Sequence, residues 1–320
     1  MPVLQRLQEK WQREFEDVPF FDGLLAGEFD ALVKSFAGEP EVHHPVRGRI
    51  RGVQAFESFV TEMKAWLNQR NISVEDVDRV VAHPHSFGEV VLHVDGETGR
   101  VDLPVAIVAE KESDRRIAEL RMYFSSWPLT GRHANRPPLL QPDPKLRESD
   151  VVAEYQRALA IGDVDAIVAT FEPDGYAREP AGGQYIHRGS NDLRHFYEWL
   201  LSNDGGIPLE RCAVIDDKRA CALEYNVVRW GKTELPPTAG VAVYARVKAA
   251  SSLRPASMTT SARRSSVACS RRDPEYEQCG APHLGLTHGV RWRTRRCRPG
   301  RDPARCPGTG RRSGRRRRHR

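Results

Sequence analysis

The sequence predicts an α+β fold built twice, with helices leading and a meandering sheet following in each half. Three observations carry this. An apolar helical stripe recurs at a constant offset, strand-like runs follow it both times, and a proline-rich polar stretch separates the two blocks.

The first block contains "AGEFDALVKSFAGEPEVHHPVRGRIRG", Ala26 to Gly52. Phe29, Leu32, Val33 and Phe36 fall at i, i+3, i+4 and i+7, one face of a helix. A second amphipathic helix is expected over "VQAFESFVTEM". Strands are then expected in "ISVEDVDRVVAH", "GEVVLHVDG", "VDLPVAIVAEK" and "RRIAELRMYFSSW", with turns at Gly88, Gly96–Gly99 and Ser113-Asp114. Residues 132–149, within "RHANRPPLLQPDPKLRESD" (Arg132 to Asp150), read as a linker.

The second block repeats the order. Val164, Ile167, Val168 and Phe171 restate the stripe, Gly162 answers Gly27, and Pro180 answers Pro45. The helix "NDLRHFYEWLL" and the strands "LERCAVID", "ACALEYNVVRW" and "TAGVAVYARV" follow. After Val247 nothing matches the final strand of the first block. The expected domains are therefore 1–131 and 150–247, the second truncated by one strand and followed by a disordered Arg-rich tail, 248–320. A sheet missing that strand has unpaired ladder groups and an uncovered core face, so residues 150–320 are expected to fold poorly and the first domain to fold alone.

Charge separates body from tail. Residues 251–320 hold 19 Arg, no Lys and 4 acidic side chains, a net of +15, whereas residues 1–250 hold 30 basic and 39 acidic ones, a net of −9. The body resembles a mildly acidic cytoplasmic protein. The N-terminus "MPVLQRLQEKWQREFEDV" places charges where an export signal needs an apolar run, and no stretch is apolar enough to span a membrane. Exclusive use of Arg suits a GC-rich gene translated out of frame. Residues 245–263 can be back-translated so that a frame two nucleotides later reads "AGQGGKLAAARIYDDVSPP", which resembles the final strand of the first block. The rivals are an Arg-rich nucleic-acid-binding arm, the sole route to a nucleic-acid partner, and an inert extension. The tail cysteines lack the close spacing of a zinc knuckle.

With the stripe, the Gly-Asp, the acid-Pro and the following helix in place, both blocks resemble the nuclear transport factor 2-like superfamily, which includes SnoaL-like polyketide cyclases and ketosteroid isomerases. The resemblance covers roughly residues 15–130 and 150–247. It implies two cone-shaped α+β barrels, each a curved antiparallel sheet over helices with an apolar pocket at its open end. It further implies that Tyr155, seven residues before Gly162-Asp163, donates a hydrogen bond to a developing enolate, and that Glu179, before Pro180, removes the proton. The second oxyanion donor of the isomerases maps to Gly240, which cannot donate; loss of one such donor costs about 10²–10³ in rate. In the first block Phe20 and His44 hold the tyrosine and base positions.

The catalytic candidates are thus Glu179, Tyr155 and His44. Tyr225, Trp230, Tyr123 and Trp66, with Phe87 and Trp127, are expected to line a barrel or fill a core. Each has a plainer role: Glu179 as a loop acid or partner of Arg178 or Arg188, Tyr155 as core, His44 bonded to backbone. "HH" at 43–44 is read as no metal site, since strand neighbours face opposite ways and no third ligand is evident. No nucleotide-binding signature occurs. The expectation is a cofactor-independent isomerase or cyclase acting on a small hydrophobic carbonyl compound. The alternative is a ligand-binding or scaffold protein, with the two barrels forming an internal pseudo-dimer or the chain forming a homodimer.

Overall fold

The computed structural model describes residues 23–24, 28–97, 99–132, 135–182, 185–246 and, for the main chain, 253–260. The first block opens with α1 (Phe29–Lys34), β1 (Glu41–His44), β2 (Gly48–Arg51) and α2 (Val53–Asn68). Strands β3 (Ser73–Ala82), β4 (His85–Gly96), β5 (Gly99–Lys111) and β6 (Ile117–Tyr123) follow, closed by a short α3 (Trp127–Thr130). The second block runs α4 (Asp150–Ile161), α5 (Val164–Ala169), β7 (Tyr176–Arg178), β8 (Ile186–Arg188), α6 (Gly189–Leu200), β9 (Leu209–Asp216), β10 (Ala220–Trp230), β11 (Thr233–Arg246) and β12 (Leu253–Thr260).

The strands make two six-stranded sheets of one order, β2-β1-β6-β5-β4-β3 and β8-β7-β12-β11-β10-β9. In each, one parallel pair, β1 with β6 or β7 with β12, joins otherwise antiparallel neighbours. Helix α2 shows why the helices lie on the sheets: Phe56, Phe59, Val60 and Leu67 form one buried stripe. Among the described residues, no helix is long and apolar enough to cross a membrane.

Two expectations need correction. The turn placed at Gly88 falls instead at His83-Pro84, and Gly88 sits inside β4 opposite Arg79. Glycine is tolerated in a ladder, while proline has no N–H to give one. The second sheet does not end at β11 either. Strand β12 pairs antiparallel with β11 and parallel with β7, in the place that β6 takes in the first sheet. Pairing needs main-chain groups and no particular side chains. Pro255 is accommodated because the register shifts between Tyr244 and Arg246, so it faces no ladder partner. The remainder of the tail, with the readings attached to it, lies outside the described residues, as does Phe20.

Alternation along the strands sorts residues between two kinds of core. On β10, Cys221, Leu223, Tyr225 and Val227 face the helices of the second block, while Ala220 and Ala222 face away. The outward faces of both sheets meet: Val80, Phe87 and Val108 share an apolar cluster with Ile215, Val241 and Val243. Buried on both faces, β10 carries eight consecutive buried residues from its start. The expected linker is pinned to this assembly rather than loose. Ala239 N donates to Arg136 O (2.9 Å), Asp143 N donates to Arg211 O (2.8 Å), and Asn226 Nδ2 donates to Leu140 O (3.2 Å).

Candidate functional site

Helix α4 carries Tyr155 into the second core. Its Val151, Val152, Tyr155, Ala158 and Leu159 are buried, and Gly162 ends it in the left-handed region at φ +82°. A Cβ at residue 162 would lie 2.9 Å from the Gly205 carbonyl carbon, so both conformation and space call for glycine. Asp163 then starts α5, its carboxylate accepting from Ala166 N at 2.9 Å. The Gly-Asp motif is therefore a helix corner that fixes the angle at which Tyr155 enters.

Tyr155 is fully buried, with its ring among Phe171, Tyr197 and Tyr244 at centroid distances of 6.0, 6.2 and 5.3 Å. Its hydroxyl lies 2.9 Å from that of Tyr197. Gln156 Nε2 donates to the Tyr244 hydroxyl at 2.6 Å. Burial pushes the Tyr155 phenol up to about 12, with the Tyr197 hydrogen bond opposing in part. Burial drives Tyr197, Tyr225 and Tyr244 upward as well. Every phenol here is a protonated donor at neutral pH.

Glu179 follows β7, with its N–H bonded to Tyr185 O at 3.0 Å and its side chain almost wholly buried. His187 Nε2 lies 2.8 Å from its carboxylate, and the His187 ring stacks on Phe196 at 4.2 Å. The two arginines considered as its partners are engaged elsewhere: Arg178 reaches Glu89 at 3.5 Å, and Arg188 lies over the Tyr176 ring at 4.4 Å. The Glu179 carboxylate is close enough to Tyr197 to help raise that phenol. Tyr197 is thus linked to both: its hydroxyl pairs with that of Tyr155, and the Glu179 carboxylate helps to raise its phenol.

In the first block His44 is buried between Phe59 and Phe124, at centroid distances of 5.5 and 5.2 Å. Its Nδ1 accepts from Val46 N (3.2 Å) and Arg47 N (3.1 Å), which assigns the proton to Nε2. Nε2 has no hydrogen-bond partner among the described residues. Burial, then the Arg47 and Arg136 guanidinium groups, lower its pKa to about 4. A neutral ring whose acceptor nitrogen is occupied donates; it does not take a proton.

Tyr123 does not line a pocket. It shares its strand face with Arg121, opposite the inward Leu120 and Met122, and meets the other sheet. There its hydroxyl donates to Glu224 Oε1 at 2.6 Å. Phe87, on the same side, joins that cluster too. Trp230 faces inward because β10 shifts register between Val227 and Arg229; its Nε1 donates to Leu200 O at 2.7 Å. Trp66 packs at the first core's edge, with Arg70 4.4 Å from its ring centroid. Tyr225 points inward beside Tyr155.

A third ligand beside His43 does exist in space: Glu41, His43 and Glu119 bring ligand atoms within 4.8 Å of one another. Arg49 already holds both Glu41 oxygens (2.6 and 2.9 Å), and Arg121 holds Glu119. Hydrogen bonds from Arg49 and His43, respectively, keep Glu41 and Glu119 below the usual carboxylate range. The group is an ion-pair network in which arginines supply the positive charge.

Sequence reasoning missed Tyr197, His187, Tyr244 and Gln156. One signal was legible: Tyr197 sits within the stripe Leu193, Phe196, Tyr197 and Leu200, where a hydroxyl must find a buried partner. Nothing local marks His187, which meets Glu179 only because β7 and β8 pair.

Residues 152–249 match the family model of the SnoaL-like domain. No curated protein matches the chain. Among solved structures, a Cytophaga hutchinsonii NTF2-like protein of unknown function is 16% identical over 36% of this chain and 93% of its own, with a TM-score of 0.28. A Sinorhizobium meliloti protein described as a candidate polyketide cyclase is 17% identical over 35% and 94%, at 0.28. The epoxide hydrolase/cyclase-like enzyme SalBIII, of pyran ring formation in salinomycin, is 15% identical over 36% and 92%, at 0.29. The family match covers the block that holds Tyr155 and Glu179: residues 152–249 are similar to the SnoaL-like domain.

Proposed function

We propose that the second block is a cofactor-independent isomerase- or cyclase-type enzyme acting on a small hydrophobic carbonyl compound. Glu179 takes a proton from the carbon beside the carbonyl. Tyr155, held by Tyr197, donates to the oxygen as it gains enolate character. The observation that carries this reading is the buried hydroxyl pair at 2.9 Å in an apolar core, with an almost wholly buried carboxylate beside it. In such surroundings a phenol keeps its proton and a hydrogen bond to developing charge gains strength. His187, half-buried against Glu179, connects the carboxylate toward solvent.

Deuterium exchange at the α-carbon of a ketone probe in heavy water, followed by proton NMR, tests the reading. Glu179→Gln should abolish catalysed exchange, and Tyr155→Phe should slow it by about 10²–10³. Equal exchange in wild type and Glu179→Gln removes the assignment.

The second reading is a scaffold in which the two blocks form an internal pseudo-dimer that binds a ligand without turnover. The apolar cluster shared by the outward sheet faces supports it. Tight ketone binding with no exchange would select it.

A further inference from the structure

We propose that the Tyr225 hydroxyl is a second hydrogen-bond donor to the ligand oxygen, and that Gly240 is the gap that admits it. The proposal rests on the reading of the second block as a site for an enolate-type oxygen, and adds a residue to it.

Strand parity turns Tyr225 into the core, and the ladder places it directly opposite Gly240 on β11. A Cβ at residue 240 would lie 2.6, 2.7 and 2.8 Å from Cε2, Cζ and the hydroxyl of Tyr225. The phenol therefore occupies the volume that any side chain at 240 would take. Three other buried tyrosines belong to the same core cluster, and their hydroxyls have partners: Tyr155 with Tyr197, and Tyr244 with Gln156. The Tyr225 hydroxyl, in a residue 1% exposed, has none among the described residues.

A buried hydroxyl without a partner costs stability. Phenylalanine would fill nearly the same space without that cost. The hydroxyl is therefore explained by an acceptor that the ligand brings. Tyr155 and Tyr225 are packed in the same core cluster, and on this proposal a single ligand oxygen receives both donors. Burial keeps the Tyr225 phenol protonated, as a donor must be. The ligand class this selects has a single carbonyl, enolate or phenolate oxygen at the end of an apolar ring or chain.

The test uses the full chain and 2-naphthol, whose fluorescence distinguishes naphthol from naphtholate, as a mimic of the enolate. Tyr225→Phe should weaken binding by about tenfold or more, leave the far-UV circular dichroism unchanged, and leave the melting midpoint equal or higher. Gly240→Ala, which crowds the ring out of place, should weaken binding as well. It decides the matter if Tyr225→Phe does not fold. Wild-type affinity in either variant, beside weakened binding in Tyr155→Phe, overturns this proposal and leaves the proposed function standing. Absence of naphthol binding by the wild-type chain overturns both.

Discussion

Burial and two guanidinium groups hold the His44 imidazole neutral, with its pKa lowered from 6.5 to about 4. Between those values the unfolded chain takes up a proton that the folded chain does not. Stability from this residue is thus complete above pH 6.5 and falls as pH drops toward 4, by an amount on the order of 3 kcal/mol. His44→Asn keeps an acceptor for the amides of Val46 and Arg47 but does not titrate. Urea unfolding at about pH 7 and about pH 4.5 should show a smaller acid loss for the variant than for wild type. An equal loss would move the effect to another group. Glu179 likewise takes its environment from its neighbours in space: a histidine on the paired strand and a buried phenol.

At the scale of elements, β12 decides whether the second sheet closes. It covers the free ladder edges of β11 and β7, and an uncovered edge recruits other chains. A chain ending at residue 252 should aggregate on expression or dilution, as light scattering would report, where the full chain does not. Matching scattering would mean that β12 adds little. Strand parity also explains the misplacement of Tyr123. Its neighbours Met122 and Leu120 face the core, so a residue one step away must face the second sheet. The pattern is readable in the sequence once the second sheet is known to be there; without it, an outward aromatic has no reason to be buried.

For the molecule as a whole, a buried ion pair spans the two sheets. Arg121 grips Glu224 with Nε at 2.7 Å and Nη2 at 2.9 Å, both residues essentially inaccessible, and Tyr123 adds its hydroxyl. Arg136, from the segment between the blocks, lies 4.5 Å over the Tyr123 ring and donates to His43 O and Met122 O. Arg121→Met leaves the Glu224 carboxylate buried without its cation and should cost roughly 3–5 kcal/mol in urea unfolding. Arg121→Met combined with Glu224→Met should recover most of that loss, because the desolvation of both charges disappears together. Additive losses in the double variant would show that the pair does not act as a unit.

By itself the sequence determined the helices, most of the strands and their order, because these follow from local periodicity and turn chemistry. The stripes over Val164–Phe171 and Leu193–Leu200, the Gly162-Asp163 corner and the alternation of β10 are all properties of neighbours along the chain. It also singled out Tyr155 and Glu179 as residue types suited to the proposed chemistry, and Tyr225 as a residue that lines a barrel or fills a core. Only the tertiary structure decided what each one touches. Tyr197 comes from another helix, His187 from a paired strand, and Gly240 from the strand opposite Tyr225. Pairings between residues distant in sequence leave no periodic trace, because they are set by how elements pack rather than by the spacing within any one of them.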